Sequence, residues 1–189
     1  MAGEGDETLR IEALTADHDR SKFESGVEAL DRYFRTQAGQ DARKNMAAPF
    51  VLVLQDATIA GYYTLSSTSI RIAELPAQTA RKLPRYPLVP ATLLGRLAVD
   101  YRYQGNGYGR FLLADALLRA AKSEIASFAV VVDAKDENAR RFYERESFFA
   151  IPGSVHEAIP AHDRYSAAVR MKANLECGSG RQQSSRLVC

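Results

Sequence analysis

The sequence predicts a single-domain α/β (α+β) fold, with a central mixed, mostly antiparallel sheet flanked by helices. Three observations carry this. Short apolar runs of strand length interleave with helical patterns, in the order strand, helix, several strands, long helix, strand, short helix, strand. The 189 residues suit one core and would cramp two. Apolar residues make up 46% and charged residues 25%, a balance that supports a real interior.

Residues 9–13 alternate apolar and polar, as a half-buried strand does. Ser25-Gly-Val-Glu28 reads as a capping box, after which Val27, Leu30, Phe34 and Ala38 recur at helical spacing to about Gln40 or Asn45. Phe50 to Leu54 is an apolar strand, and Ile59 to Ser66 is its hairpin partner across Gln55-Asp56. Pro76, Pro84, Pro87 and Pro90 leave room only for a brief helix within Ala77–Leu83. Ala91 to Val99 is the next strand, and Gly107 to Lys122 the strongest helix pattern. Phe128–Val132, Asn138–Glu146 and Tyr165–Met171 then read as strand, short helix and strand. Residues 1–7 are expected to be flexible, 8–172 to form the domain, and 173–189, rich in Gly, Ser, Gln and Arg, to be disordered.

Composition excludes several classes. No run of about 18 apolar residues predicts a membrane span, and Met1 to Asp6 do not resemble a secretory signal. The two cysteines, Cys177 and Cys189, both lie in the tail and build neither a disulfide framework nor a metal motif. A cytoplasmic protein without a metal is expected. Net charge is only +2, yet residues 75–89 hold Arg81, Lys82 and Arg85 and no acid. Arg43, Lys44, Arg71 and Arg96 add to this, and such clustering suits a phosphate backbone or a solvated surface.

The element that carries chemistry runs from Leu97 to Arg110, where a strand meets a helix through Gly105, Gly107 and Gly109. Missing side chains there expose backbone donors at a helix N-terminus, a place for phosphate oxygens. A P-loop would require Gly-Lys-Ser/Thr where Gly109-Arg110-Phe111 stands. A dinucleotide fingerprint would need Gly-x-Gly-x-x-Gly tight against its strand; Asp133, at the end of the next strand, keeps that alternative open.

Gln104-Gly-Asn-Gly107-Tyr-Gly109 resembles the Gln/Arg-x-x-Gly-x-Gly/Ala pyrophosphate motif of the GNAT acetyltransferase superfamily, and its flanking strand and helix fit. The resemblance spans residues 8–172 in element order and implies a GNAT fold with acetyl-CoA as cofactor. It implies that backbone groups along Leu97, Ala98 and Val99 meet the pantetheine arm. Gln104, Gly105, Asn106, Gly107, Tyr108, Gly109 and Arg110 would hold the pyrophosphate, with Asn138 and Phe142 touching the cofactor.

Leu94-Gly-Arg-Leu-Ala-Val-Asp100, the early Ser-Gly-Val-Glu-Ala-Leu-Asp-Arg-Tyr segment and Asn138-Ala-Arg-Arg-Phe-Tyr143-Glu are similar to the GNAT toxins of type II toxin–antitoxin pairs. That resemblance implies acetylation of the amino group of aminoacyl-tRNA, a block of translation, and a ribbon-helix-helix antitoxin as partner. A homodimer is left open. One departure is Glu146-Ser147-Phe148, where the family has glycine before the phenylalanine.

Acetyl transfer needs a neutral amine, a polarised thioester and a proton for the departing thiolate. The resemblance makes Tyr143 the acid, its reference pKa of ~10 lying near the ~8.5 of a thiol. Read without it, Tyr143 serves equally as a packed aromatic beside Phe142. An α-amine, with a pKa of ~8, needs little help from a base. His18, His156 and His162 fall outside the motif and are expected to be surface or structural. The cations Arg43, Lys44, Arg71, Arg81, Lys82, Arg85 and Arg96 would then grip a tRNA acceptor stem. Competing functions are acetylation of a small or protein amine and a non-catalytic nucleotide-binding module.

Overall fold

The computed structural model describes residues 9–150 and 165–170. The readings made for residues 1–7, for His156, His162, Cys177 and Cys189, and for the tail from 173 lie outside the described residues. Strands β1 (Arg10–Ala13), β2 (Ala48–Val53), β3 (Ile59–Arg71), β4 (Leu88–Val99), β5 (Ala129–Ala134), β6 (Phe149–Ala150) and β7 (Tyr165–Arg170) form one sheet. The helices are α1 (Glu28–Thr36), α2 (Ala38–Arg43), α3 (Ala77–Ala80), α4 (Tyr108–Lys122) and α5 (Glu137–Arg145).

Strand order is β1-β2-β3-β4-β5-β7-β6. Among the described residues every neighbouring pair is antiparallel except β4–β5. That is the mixed, mostly antiparallel sheet the sequence predicts. It removes the dinucleotide alternative, which needs a mostly parallel, doubly wound sheet.

The period-2 alternation of β3 divides the core between two faces. Tyr63 and Leu65 pack with Leu112, Leu113 and Ala116 of α4. Tyr62 turns the other way, to Phe23, Phe34 and Val51, with its ring stacked on Phe34 at 4.1 Å. β2 tolerates Pro49 because that residue stands just beyond the last β1–β2 pair, Ala13↔Phe50; its carbonyl still accepts from Leu14 N at 2.9 Å.

The capping box does not form. Gly26 turns the chain at φ 85°, the helix starts at Glu28 after Val27, and no side chain caps it. Ser25 faces inward, where its amide and hydroxyl donate to Asp31 Oδ1 at 2.8 and 2.6 Å. Asp31, one turn further on than the capping-box acid, takes over the acceptor role. The single helix expected to reach residue 40 or beyond is broken at Gln37, whose amide still donates to Tyr33 O.

β3 runs five residues past its expected end at Ser66 because its serine–threonine stretch keeps pairing with β4, through Ser69↔Pro90 to Arg71↔Leu88. The β3–β4 register slips between Thr64 and Leu65, leaving Gly95 as a bulge in β4. β6 has only two residues and was not foreshadowed by any pattern.

Candidate functional site

The sheet splits at its centre. β4 and β5 pair from Ala91↔Ala129 to Leu94↔Val132, and there the parallel ladder ends. β4 continues to Val99 against β3, while β5 continues to Ala134 against β7. Backbone groups in an antiparallel ladder alternate in direction. Asp100 N donates to Ala60 O at 2.9 Å, so Asp100, Ala98 and Arg96 pair toward β3. Leu97 and Val99 therefore direct their backbone groups into the split. Ala98 does not: its polar groups face β3 and its methyl packs in the α1 cluster, so the cofactor contact expected of it has no polar group to carry it.

Beyond the split, a single 3-10 turn (Tyr101–Tyr103) leads into the glycine segment. Gly105 and Gly107 sit at φ 84° and 80°, where a side chain is strained although a Cβ would meet nothing within 4 Å. Gly109 is different. Its requirement is not conformational, and a Cβ there would make ordinary contacts with the Phe142 ring at 3.7 Å and the Val99 side chain at 4.0 Å. The first ladder bond of α4 runs from Phe111 N to Gly107 O at 3.1 Å. Amides ahead of it are not used by the helix's own ladder and reinforce the positive end of its dipole.

In front of this turn lies a cavity of about 660 Å³. Val99, the glycine turn, the first turn of α4 and Phe142, Arg145 and Glu146 line it. Asn106 and Asn138 are exposed and do not line it. Gln104 borders the cavity, but its side-chain amide donates to Ser25 O at 2.9 Å and Val99 O at 3.1 Å. Sequence reasoning missed Tyr103, Arg145 and Glu146. For the last two a signal existed: they lie three and four residues after Phe142 and so share its helix face. Glu146 pairs with the exposed Arg110 at 2.8 Å, a surface contact worth little to stability. A second concavity of about 680 Å³, lined by Phe50, Leu65, Leu118 and Ile125 among others, lies by the other end of α4. It has neither a glycine turn nor a helix N-terminus.

Tyr143 stands on α5, with 7% of its surface exposed, packed against Phe142 and Phe148 at ring distances of 5.2 and 5.3 Å. Burial pushes its phenol well above the ordinary tyrosine range, and the negative charge of Asp133 adds to the shift. Asp133 is the first β5 residue beyond the last β4–β5 pair, so the phenol feels a charge at the fork of the split. Tyr143 is thus a neutral donor held in the core and does not line the cavity itself.

The seven cations do not form one surface. Arg71, Arg81, Lys82 and Arg85 are exposed on or beside the far end of the β3–β4 hairpin. Eleven residues of strand separate that end from Val99, roughly 35 Å at the rise of a β-strand. Arg43 and Lys44 are exposed at the end of α2. Arg96 lies on the α1 face with its guanidinium 3.5 Å above the Tyr33 ring, so it holds a cation–π contact. His18 is structural: Nδ1 accepts from Thr15 N at 3.0 Å and Nε2 meets Glu12 Oε1 at 2.9 Å. Among the described residues no group of three metal-ligating side chains occurs, and no helix is long and apolar enough to cross a membrane.

Comparison with known proteins agrees with this geometry. The family model described as acetyltransferase (GNAT) family matches residues 11–148. A protein of Mycobacterium tuberculosis (strain ATCC 25618 / H37Rv) named tRNA-acetylating toxin is 37% identical over 136 residues, 71% of this chain and 80% of that protein. A "probable toxin TacT" of Sinorhizobium fredii (strain NBRC 101917 / NGR234) is 31% identical, over 80% of this chain and 90% of its own length. Among solved structures, AtaT complexed with acetyl-methionyl-tRNAfMet superposes with a TM-score of 0.76 at 29% identity, covering 86% of this chain and 94% of that one. A tyrosine-to-phenylalanine variant of KacT gives a TM-score of 0.74 at 26% identity, covering 86% of this chain and 94% of that one. A split sheet, a glycine turn at a helix start and a family match over most of the chain lead to one assignment: this chain belongs to the GNAT family of acetyltransferases.

Proposed function

We propose that this chain is the toxin of a toxin–antitoxin pair, which moves an acetyl group from acetyl-CoA to the α-amino group of aminoacyl-tRNA and so inhibits translation. The observation that carries the reading is the split between β4 and β5 opening onto the glycine turn, in a chain 37% identical to a named tRNA-acetylating toxin. The acetyltransferase unit is assigned to residues 8–172, and the protein to the cytoplasm. AtaT is solved bound to the C-terminus of its antitoxin AtaR, which supports a dedicated antitoxin here as well. We assign that antitoxin to the ribbon-helix-helix class and allow the toxin to pair with a second copy of itself.

Acetyl-CoA supplies the activated thioester. Residues 104–110 would receive its diphosphate on backbone donors, with the dipole of α4 behind them. Leu97 and the Val99 amide would offer to the pantetheine arm the edge of β4 that β5 leaves uncovered, the Val99 carbonyl already accepting from Gln104. The Val99 amide would steady negative charge on the thioester oxygen. As the N–C bond forms and the C–S bond breaks, Tyr143, kept protonated by burial, would give its proton to the departing sulfur and be reprotonated by the proton the amine sheds. An α-amine with a pKa of ~8 is partly neutral at pH 7 and needs no strong base. The cations at the hairpin end and on α2 meet the tRNA backbone without reading its sequence.

Thiol release from acetyl-CoA, measured with charged and with uncharged tRNA, tests this. Release with charged tRNA alone is expected. Release with polyamines or other small amines and none with charged tRNA would replace the toxin reading by that of a small-molecule acetyltransferase.

A further inference from the structure

Asp100 takes no part in the chemistry described above, yet it is a fully buried carboxylate, 0% exposed, beside the cofactor turn. Its oxygens accept from four donors. Arg102 supplies its backbone N at 3.0 Å, Nε at 2.8 Å and Nη2 at 2.8 Å, and Glu24 N adds a fourth at 3.2 Å. Burial alone would raise its pKa, but the Arg102 fork and the two amides outweigh it and hold the carboxyl below the usual range. Around it the 100–104 segment is laced to the lead-in of α1. Tyr101 N donates to Glu24 O at 2.8 Å, and Gln104 Nε2 donates to Ser25 O at 2.9 Å. Ser25 is itself pinned to the buried Asp31.

Two glycines at positive φ follow directly, and glycine gives a turn the greatest freedom to lose on ordering. A turn that must present several amides to one diphosphate gains affinity when that freedom is removed beforehand. We propose that Asp100 is a positioning residue for acetyl-CoA, bracing residues 101–107 against the α1 lead-in so that the glycine turn is set before the cofactor arrives. Arg102 completes the brace from outside, its guanidinium partly exposed. This rests on the reading of the turn as the diphosphate site.

Asp100→Asn keeps the volume but cannot accept the two-pronged Arg102 contact together with both amides. Calorimetric titration with acetyl-CoA is expected to show roughly tenfold weaker binding than wild type. Turnover at saturating acetyl-CoA should stay within about twofold, because the brace touches no reacting atom. Arg102→Lys, which keeps the charge and loses the fork, should fall between the two in affinity. Wild-type affinity in Asp100→Asn would overturn the proposal, as would lost turnover with affinity unchanged. Should near-UV circular dichroism show that Asp100→Asn does not fold, Arg102→Gln decides by the same criteria. Wild-type protein that fails to bind acetyl-CoA would instead remove the diphosphate assignment on which the proposal stands.

Discussion

Ser147 shows how a single residue can depart from a family pattern without losing the turn. It sits at φ 67°, in the left-handed region that costs a non-glycine residue about 1 kcal/mol. The helix end is still closed, with Phe148 N donating to Tyr143 O at 3.1 Å and Phe148 packed in the core. Ser147→Gly should therefore stabilise the protein by about 1 kcal/mol in urea unfolding, with acetylation unchanged. Tyr143→Phe keeps the packing against Phe142 and Phe148 and removes only the hydroxyl. Acetylation should fall at least about a hundredfold while acetyl-CoA affinity stays near normal; full activity would take Tyr143 out of the mechanism. Because burial raises the phenol's pKa, the donor form persists as pH rises. The rate should climb through about pH 8, as the amine loses its proton, with no decline due to Tyr143 below about pH 10. Gly105 and Gly107 were legible as residues, since only their backbone angles are at stake. Gln104 was legible as a motif position but not in direction: its amide turns to Ser25 and Val99, and no local pattern reports a contact across 79 residues.

Element by element, periodicity served best where one element packs on one face. The long helix was expected over 107–122 and is found over Tyr108–Lys122, and the β2–β3 hairpin turns where Gln55 and Asp56 stand. It failed where a partner outside the local pattern took over. Asp31 displaced Glu28 at the start of α1, and pairing with β4 carried β3 beyond its apolar stretch. That longer β3–β4 hairpin carries the basic segment away from the sheet's centre, which turns a compositional observation into a spatial one. Replacing Arg81, Lys82 and Arg85 together should weaken acetylation of charged tRNA and make its salt dependence shallower, by about 2 in log–log slope, while sparing acetyl-CoA binding. Unchanged turnover at moderate salt would exclude the hairpin end from the tRNA surface. Arg96 is not included, because stacking on Tyr33 accounts for it.

For the molecule as a whole, the fold class was legible in the element order, but the feature that makes it a machine was not. The apolar residues of β4 read the same whether or not β5 continues beside them. The split appears only when register is known, at Leu94↔Val132. Around it meet the edge of β4, the positive end of α4, the braced glycine turn and the buried phenol of α5, contributed by segments from residue 24 to residue 146. They meet where the proposed acetyl transfer would take place. The most direct test is mass spectrometry of the aminoacyl end released by nuclease from charged tRNA after incubation with the protein and acetyl-CoA. An N-acetylated aminoacyl-adenosine, formed only when acetyl-CoA is present, is the result expected; an unmodified aminoacyl-adenosine, with the protein folded and the cofactor bound, would contradict it.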